Sequence, residues 1–226
     1  MSARDVLALF AKAPVPGQVK TRLCPPLAPA QAARLYEAML LDIVGQHLGD
    51  PPSVERVLWF APEGAEGWFR EHVPPGYALL AQRGATLAER MRALFHHHCD
   101  RGATRVVLRG TDSPTLPGVR VREAFAALDR ADLVLCPDRD GGYNLIGLRK
   151  PADELFDLEM STGSVLDTTR ARARELGLQV ALLEPHHDVD TEADLRLLRA
   201  EVDAKLTPRT AQWLAQHPAH GAGGTA

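Results

Sequence analysis

Three basic side chains fall within eleven residues near the start of the chain. Lys12, Lys20 and Arg22 lie in a loop between a short apolar run and a periodic helical pattern. Two prolines and Gly17 shape this loop, because proline restricts φ and glycine permits a tight turn. Such a loop, following a buried strand, is typical of an anion-binding site at the open end of a parallel sheet. A solvated basic surface loop is the other interpretation.

Acidic residues follow other apolar runs of the chain. They lie in residues 108–114, 138–143 and 187–195. Ligands of open α/β sheets bind beyond the carboxyl ends of the strands. Because Mg²⁺ is usually held by one or two protein carboxylates and by phosphate oxygens, Asp112, Asp188 and Asp190 are candidate ligands for Mg²⁺ or Mn²⁺.

Each of these acidic residues also has a purely structural interpretation. Asp112 precedes Ser113 and Pro114 and could simply form a turn. Asp190 or Thr191 could be the N-cap of the helix that follows. The occurrence of three acidic segments together with a basic loop favours ligand chemistry over these alternatives.

Two other segments give weaker signals. Gly141 and Gly142 permit a tight hairpin, and they equally permit backbone N–H groups to approach a ligand closely. Tyr143 could stack on that ligand or pack in the core. Gln82 follows a short strand pattern, where its amide could recognise a nucleotide base or be solvated.

Short apolar runs alternate with helical patterns along most of the chain. Strands are predicted at residues 6–10, 54–60, 77–81, 105–109, 133–136, 143–148 and 179–183, and helices at 29–48, 87–98, 117–128, 164–176 and 192–202. The alternation predicts βαβ units and a mostly parallel sheet covered on both faces. The Gly-Gly turn between the fifth and sixth strands predicts a hairpin, and therefore one antiparallel strand.

Composition limits the class of protein. The 226 residues, with 45% hydrophobic residues and 24% charged ones, predict one globular domain over residues 1–205, followed by a C-terminal helix and frayed tail over 206–226. The net charge of −3, without a long basic stripe, argues against nucleic-acid binding. Three scattered cysteines and the lack of a long apolar run predict a cytoplasmic protein without a membrane span. The oligomeric state stays open.

Together the motifs resemble those of a bacterial family of glycosyltransferase-A-like proteins, often called radical-SAM/selenodomain-associated transferases. The resemblance covers most of residues 4–198 and is carried by residues 10–23, 110–114, 140–148 and 188–195. That family is similar to the phospholactate and molybdenum-cofactor guanylyltransferases. The resemblance implies a Rossmann-like, three-layer α/β/α fold of the nucleotide-diphospho-sugar transferase type.

The resemblance also implies roles for single residues. Lys20 and Arg22 would contact phosphates as the catalytic cations, and Asp112 and Asp190 would hold a divalent metal, with Asp188 at a further acidic position. The candidate nucleotide- and substrate-binding residues are then Lys12, Gly17, Gln82, Gly84, Gly141, Gly142 and Tyr143. Of these, Gln82 and Gly84 match a base-binding segment only loosely.

The function predicted from these residues is a Mg²⁺-dependent nucleotidyl transfer from a nucleoside triphosphate to a small phosphorylated acceptor. Glycosyl transfer from a nucleotide-sugar would use the same site. A non-catalytic nucleotide-binding protein is a third hypothesis. The chain departs from the family at Asn144, where a second Tyr or similar residue is common, and the acceptor stays open.

Overall fold

The computed structural model describes residues 4–157 and 163–218. A sheet of seven strands forms its centre, in the spatial order β3-β2-β1-β4-β6-β5-β7. The strands are β1 Asp5–Lys12, β2 Val54–Ala61, β3 Ala78–Ala81, β4 Arg105–Arg109, β5 Leu133–Pro137, β6 Tyr143–Leu148 and β7 Val180–Leu182. All seven coincide with predicted strands to within about two residues.

Helices connect most of these strands. They are α1 Pro29–Gln46, α2 Glu66–His72, α3 Leu87–Cys99, α4 Val119–Ala127, α5 Val165–Glu175, α6 Glu192–Glu201 and α7 Pro208–Gln216. The pairs β1–β2, β1–β4, β2–β3 and β5–β7 are parallel. Strand β6 is antiparallel to both β4 and β5, because the short glycine turn leaves no room for a crossover helix. The mostly parallel α/β fold with one antiparallel strand is therefore confirmed.

The sheet buries an apolar surface on each face, as the alternation of side chains along a strand requires. In β1, Leu7 and Leu9 pack with residues of α1, α2 and α4 on one face. Val6 and Ala8 pack with α3 and α5 on the other. The sheet and the helices packed on its two faces form the three layers that were predicted.

The structure differs from the sequence prediction at the short elements. Helix α2 was not predicted, because seven residues starting with a glutamate and a glycine show too little periodicity. Helix α7 lies beside α1, where the buried Asp42 carboxylate accepts hydrogen bonds from the backbone N–H groups of Arg209 (3.1 Å) and Thr210 (2.8 Å). The domain boundary at residue 205 stays a prediction, and residues 219–226 of the proposed tail lie outside the described residues.

Among the described residues, no helix combines the length and the apolar character that crossing a bilayer requires.

Candidate active site

Three chain segments meet at the carboxyl edge of the sheet. Strands β1 and β4 are parallel neighbours, so the loop after Lys12 and the turn after Arg109 leave the same edge. The segment after β7 then joins them, since the His186 N–H donates to the Pro137 carbonyl (3.0 Å) and the Val189 N–H donates to the Asp112 carbonyl (2.9 Å). The topology thus brings the basic loop and two of the acidic segments together.

The Lys20 ammonium lies between two of the predicted metal ligands. Its Nζ contacts Asp112 Oδ1 and lies 2.9 Å from Asp190 Oδ1. Arg22 Nη1 lies 3.4 Å from the other oxygen of Asp190. The Lys20 side chain is only 3% exposed, whereas Asp112 and Asp190 are 43% and 38% exposed. Cations and carboxylates predicted from distant parts of the sequence therefore form one cluster with an accessible acidic side.

The pKa of Lys20 reflects this pairing. Burial by itself lowers the pKa of the ammonium, but the adjacent Asp112 and Asp190 carboxylates outweigh it and hold the pKa above its usual value. Lys20 is therefore charged at every physiological pH. Its backbone has φ 49°, a left-handed conformation that costs free energy in a residue with a Cβ.

The other residues of the basic loop lie further from the acids. Gly17 has φ 76°, which a glycine adopts without strain, and it is exposed. The Lys12 side chain is exposed, and the ion pairs found among the described residues do not include it. Ligand contacts of Lys12 and Gly17 stay predictions.

Tyr36 of α1 connects the basic loop to the Asp112 turn, a role that the sequence prediction missed. The Lys12 N–H donates to the Tyr36 hydroxyl (3.0 Å), which bonds the Thr111 hydroxyl (2.8 Å), and Thr111 donates to the Phe10 carbonyl (2.8 Å). Burial, and next the Asp112 carboxylate, raise the pKa of Tyr36 to about 12, so this hydroxyl stays protonated. The helical periodicity indicated only that Tyr36 lies on the buried face.

Asp188 lies deeper than the other two acids. The Ser113 hydroxyl donates to its Oδ1, and its own N–H donates to Asp138 Oδ1 (3.2 Å). Burial and the neighbouring Asp112 and Asp138 carboxylates raise the pKa of Asp188 above its usual range. Asp188 therefore keeps its proton up to a higher pH than an exposed aspartate does.

Asp190 is not the N-cap of helix α6. Thr191 is the N-cap, and its hydroxyl accepts from the Asp194 N–H (3.4 Å). The Asp194 carboxylate accepts in return from the Thr191 N–H (2.7 Å), which completes a capping box. Asp190 is left with its carboxylate directed at Lys20 and Arg22.

The acidic residues fit a divalent cation that arrives with phosphate ligands. Within residues 4–157 and 163–218, no three His, Cys, Asp or Glu side chains are placed to hold a metal ion by themselves. The donors present are hard carboxylate oxygens of Asp112, Asp188 and Asp190. Because Mg²⁺ commonly takes only one or two protein carboxylates and completes its shell with water and phosphate, this donor set suits it.

Arg109 was missed by the sequence prediction and is fully buried behind the Asp112 turn. Its Nη2 donates to the Ser113 carbonyl (2.9 Å) and, at 3.4 Å, to the Leu116 carbonyl. Its Nη1 donates to Gln46 Oε1 (3.1 Å) and His47 Nε2 (2.7 Å). Burial lowers the pKa of Arg109 to about 10. Arg109 therefore fixes the backbone of the turn that carries Asp112.

Gln82 and Gly84, which were predicted to bind the base, make contacts within the protein itself. Gln82 Nε2 donates to the Trp59 carbonyl (2.9 Å) and the Ala11 carbonyl (3.2 Å), so its amide connects the ends of three strands. Gly84 has φ 125°, and a Cβ there would lie 2.6 Å from the Glu89 Cβ. Both residues thus have structural roles, although a cavity of about 150 Å³ adjoins Gln82 and Trp59. Base recognition by Gln82 and Gly84 stays a prediction.

The Gly141–Gly142 segment forms the tight turn between β5 and β6. Gly141 has φ 90°, and a Cβ there would collide with the Gly163 backbone. The Gly142 N–H donates to Asp140 Oδ1 (2.9 Å). The turn therefore requires glycine for close packing of the chain itself, and ligand contacts of the two residues stay predictions.

Strand β6 begins with an irregularity opposite Pro137, at Tyr143 and Asn144. Bulges of this kind often lie beside active sites, where they redirect side chains. Asn144 is buried, and neither its amide nitrogen nor its oxygen has a hydrogen-bond partner in the part of the chain that the structure describes. Its backbone carbonyl accepts from the Gly110 N–H (2.9 Å), so Asn144 adjoins the Asp112 turn.

Comparison with known proteins shows what the whole chain is similar to. The family model described as "Uncharacterized protein conserved in bacteria (DUF2064)" matches residues 44–162, which is just over half of the chain. A "2-phospho-L-lactate guanylyltransferase" of Methanothermobacter thermautotrophicus is 28% identical over 179 residues, 78% of this chain and 76% of the relative. The protein of the same name from Halorubrum lacusprofundi is 36% identical over 118 residues, 50% of this chain and 52% of that relative.

A solved structure extends the likeness to nearly the whole chain. The crystal structure of a "putative nucleotide-diphospho-sugar transferase" from Desulfovibrio desulfuricans G20 superposes with a TM-score of 0.87. It is 30% identical and covers 95% of both chains. The fold type implied by the sequence motifs is therefore confirmed.

Proposed function

The chain belongs to the bacterial protein family DUF2064, and we propose that it is a divalent-metal-dependent nucleotidyltransferase acting on a nucleoside triphosphate and a small phosphorylated acceptor. Its relatives identify it as a transferase of the nucleotide-diphospho-sugar transferase type. The metal, the donor and the acceptor are the proposed part.

The observation that carries the proposal is the cluster of Lys20, Arg22, Asp112 and Asp190. A triphosphate with its metal needs cations for the phosphate oxygens and carboxylates for the metal, side by side. Lys20 and Arg22 meet Asp112 and Asp190 at the carboxyl edge of the sheet, where open α/β folds bind their ligands.

In the proposed reaction an oxygen of the acceptor phosphate attacks the α-phosphorus, and pyrophosphate leaves from the opposite side. Arg22 is 65% exposed, and its planar guanidinium can form bidentate hydrogen bonds to phosphate oxygens, while the Lys20 ammonium is a single point charge. Both neutralise negative charge that develops on the equatorial and leaving oxygens. No general base is required, because the attacking phosphate oxygen is already anionic.

Asp112 and Asp190 would hold the divalent cation, with Asp188 behind them. When bound, that cation neutralises phosphate charge and orients the triphosphate for in-line attack. The protein's part is to keep the carboxylates in place, through the bonds from the Val189 N–H to the Asp112 carbonyl and from Ser113 to Asp188.

Glycosyl transfer is a second candidate, favoured by the structural relative from D. desulfuricans, whose name refers to nucleotide-diphospho-sugars. The same cations and carboxylates would then hold a diphosphate. The second cation, Arg22, modestly favours the more highly charged triphosphate. A non-catalytic nucleotide-binding protein would have little use for two carboxylates directed at the phosphate cations.

Thermal unfolding in the presence of candidate donors separates these functions. The four nucleoside triphosphates and a set of UDP- and GDP-sugars are added with Mg²⁺, with Mn²⁺ or with EDTA. A donor at about 100 times its Kd should stabilise the protein by around 2.7 kcal/mol. We expect the largest stabilisation from a triphosphate with metal. A preference for a nucleotide-sugar would favour glycosyl transfer, and no stabilisation by any nucleotide would reject the proposal.

The cytoplasmic location that the cysteine usage favours stays a prediction, and the oligomeric state and the identity of the acceptor stay open.

A further inference from the structure

Lys20 and a divalent cation require the same two carboxylates. Lys20 Nζ contacts Asp112 and lies 2.9 Å from Asp190, with its side chain 3% exposed. A metal ion on the same oxygens would lie within a few ångströms of the ammonium, where like charges repel strongly. Lys20 and a divalent cation would therefore compete for Asp112 and Asp190.

The surroundings of Lys20 indicate that it can leave this position. Asp112 and Asp190 remain accessible from solvent, so a ligand can reach them while Lys20 is in place. Lysine has a flexible four-carbon stem and a single charged centre, so it can exchange one anionic partner for another.

We propose that Lys20 keeps free divalent cations off Asp112 and Asp190, so that these carboxylates take a metal only when nucleotide phosphates are present to pair with Lys20. A phosphate oxygen gives Lys20 a new partner at the moment when the metal takes the carboxylates. Arg22 keeps its contact with the outer oxygen of Asp190. This inference rests on the proposed function, since it needs a polyphosphate ligand.

The test compares two titrations of the full-length protein. Free Mn²⁺ is titrated by electron paramagnetic resonance, and preformed complexes of Mn²⁺ with α,β-methylene analogues of the four nucleoside triphosphates are titrated by calorimetry. The wild type should bind its preferred complex at least about tenfold more tightly than it binds free Mn²⁺. A neighbouring charge typically shifts a binding equilibrium by about one to three pKa units, and one such unit is a factor of ten in affinity.

The variant Lys20→Met should move the two affinities in opposite directions. Free Mn²⁺ should bind about tenfold more tightly, because the competing ammonium is gone, and the Mn²⁺–analogue complex more weakly, because a phosphate partner is gone. Lys150→Met removes an exposed charge elsewhere and should change neither affinity. A lysine with only a structural role would weaken both affinities when it is removed.

Three results would overturn the inference. They are equally tight binding of free Mn²⁺ and of the complex by the wild type, unchanged or weaker Mn²⁺ binding by Lys20→Met, and tighter binding of the complex by that variant. Circular dichroism checks that the variant folds. Lys20→Gln replaces it if it does not, and the wild-type comparison decides the matter if both variants unfold. A wild type that binds free Mn²⁺ but no triphosphate complex would reject the proposed function itself.

Discussion

Lys20 and Arg109 are buried cations that both contact the Asp112 turn, and their surroundings differ in kind. Lys20 is paired with two partly exposed carboxylates, which hold its pKa above the usual value despite burial. Arg109 donates instead to backbone carbonyls, to Gln46 and to His47, and burial lowers its pKa to about 10.

This difference indicates a ligand-binding role for Lys20 and a structural role for Arg109. A charge held by accessible carboxylates can exchange one anion for another when a ligand enters. A guanidinium bonded to buried carbonyls has no such exchange, because those oxygens would lose hydrogen bonds that compensate their burial. We therefore expect Lys20 to act on the ligand and Arg109 to act only through the shape of the turn.

Replacing Arg109 should have the largest effect on stability. Arg109→Met leaves the Leu116 carbonyl and His47 Nε2 without this donor and removes one of two donors from the Ser113 carbonyl, so the free energy of unfolding should fall by about 3 kcal/mol. Urea unfolding measures this loss. The control Arg149→Met removes an exposed arginine and should change stability by less than about 0.5 kcal/mol. Equal losses of stability in Arg109→Met and Arg149→Met would contradict the structural role given to Arg109.

Replacing Lys20 should cost much less stability. In Lys20→Met, water can solvate Asp112 and Asp190, which are already 43% and 38% exposed, so a loss of about 1 kcal/mol is expected. The same urea titration measures it. A loss as large as that of Arg109→Met would mean that Lys20 is mainly structural.

The smallest expected effect is the pH dependence of the Arg109 cluster. His47 accepts from Arg109 at Nε2 and bonds Asp50 through Nδ1, so its neutral form fits the cluster. Burial lowers the pKa of His47 below its unfolded value of 6.5, so the unfolded chain binds more protons just below that pH. Stability should therefore fall as the pH decreases through 6.5.

His47→Gln tests this dependence, since glutamine can accept from Arg109 without titrating. Between pH 7.5 and pH 5.5 the variant should lose up to about 1 kcal/mol less stability than the wild type. Identical acid profiles of wild type and His47→Gln would contradict the role given to His47.

The ion pairs of Lys20 should respond to alkaline pH instead. Their contribution to stability is present below pH 10.5 and is lost as the pH rises through the raised pKa of Lys20.

The sequence predicted the strands and the antiparallel turn because these depend on local patterns. Strands β4 and β6 match the predicted bounds, and the Gly-Gly segment indicated the hairpin between β5 and β6. Helix α2 has too few residues for a periodic signal, so it was missed.

The candidate site was predictable in its residue types but not in its contacts. Lys20 and Asp190 are 170 residues apart, and only the strand order brings them to 2.9 Å. Arg109 was missed because a charged residue at the end of a strand usually reaches solvent, whereas this one is enclosed by α1 and the 113–116 turn. Tyr36 was missed because a buried tyrosine on a helix face gives the same pattern as any core residue.

We propose that the carboxylates paired with Lys20 bind nucleotide through a metal. The most direct test is calorimetric titration of the preferred nucleoside triphosphate into wild type and Asp112→Asn, each with Mn²⁺ and with EDTA, with Asp167→Asn as an exposed control. We predict that wild type and control bind tightly only with Mn²⁺, and that Asp112→Asn stays folded but loses the effect of the metal. Equal, metal-dependent binding by Asp112→Asn would contradict the account.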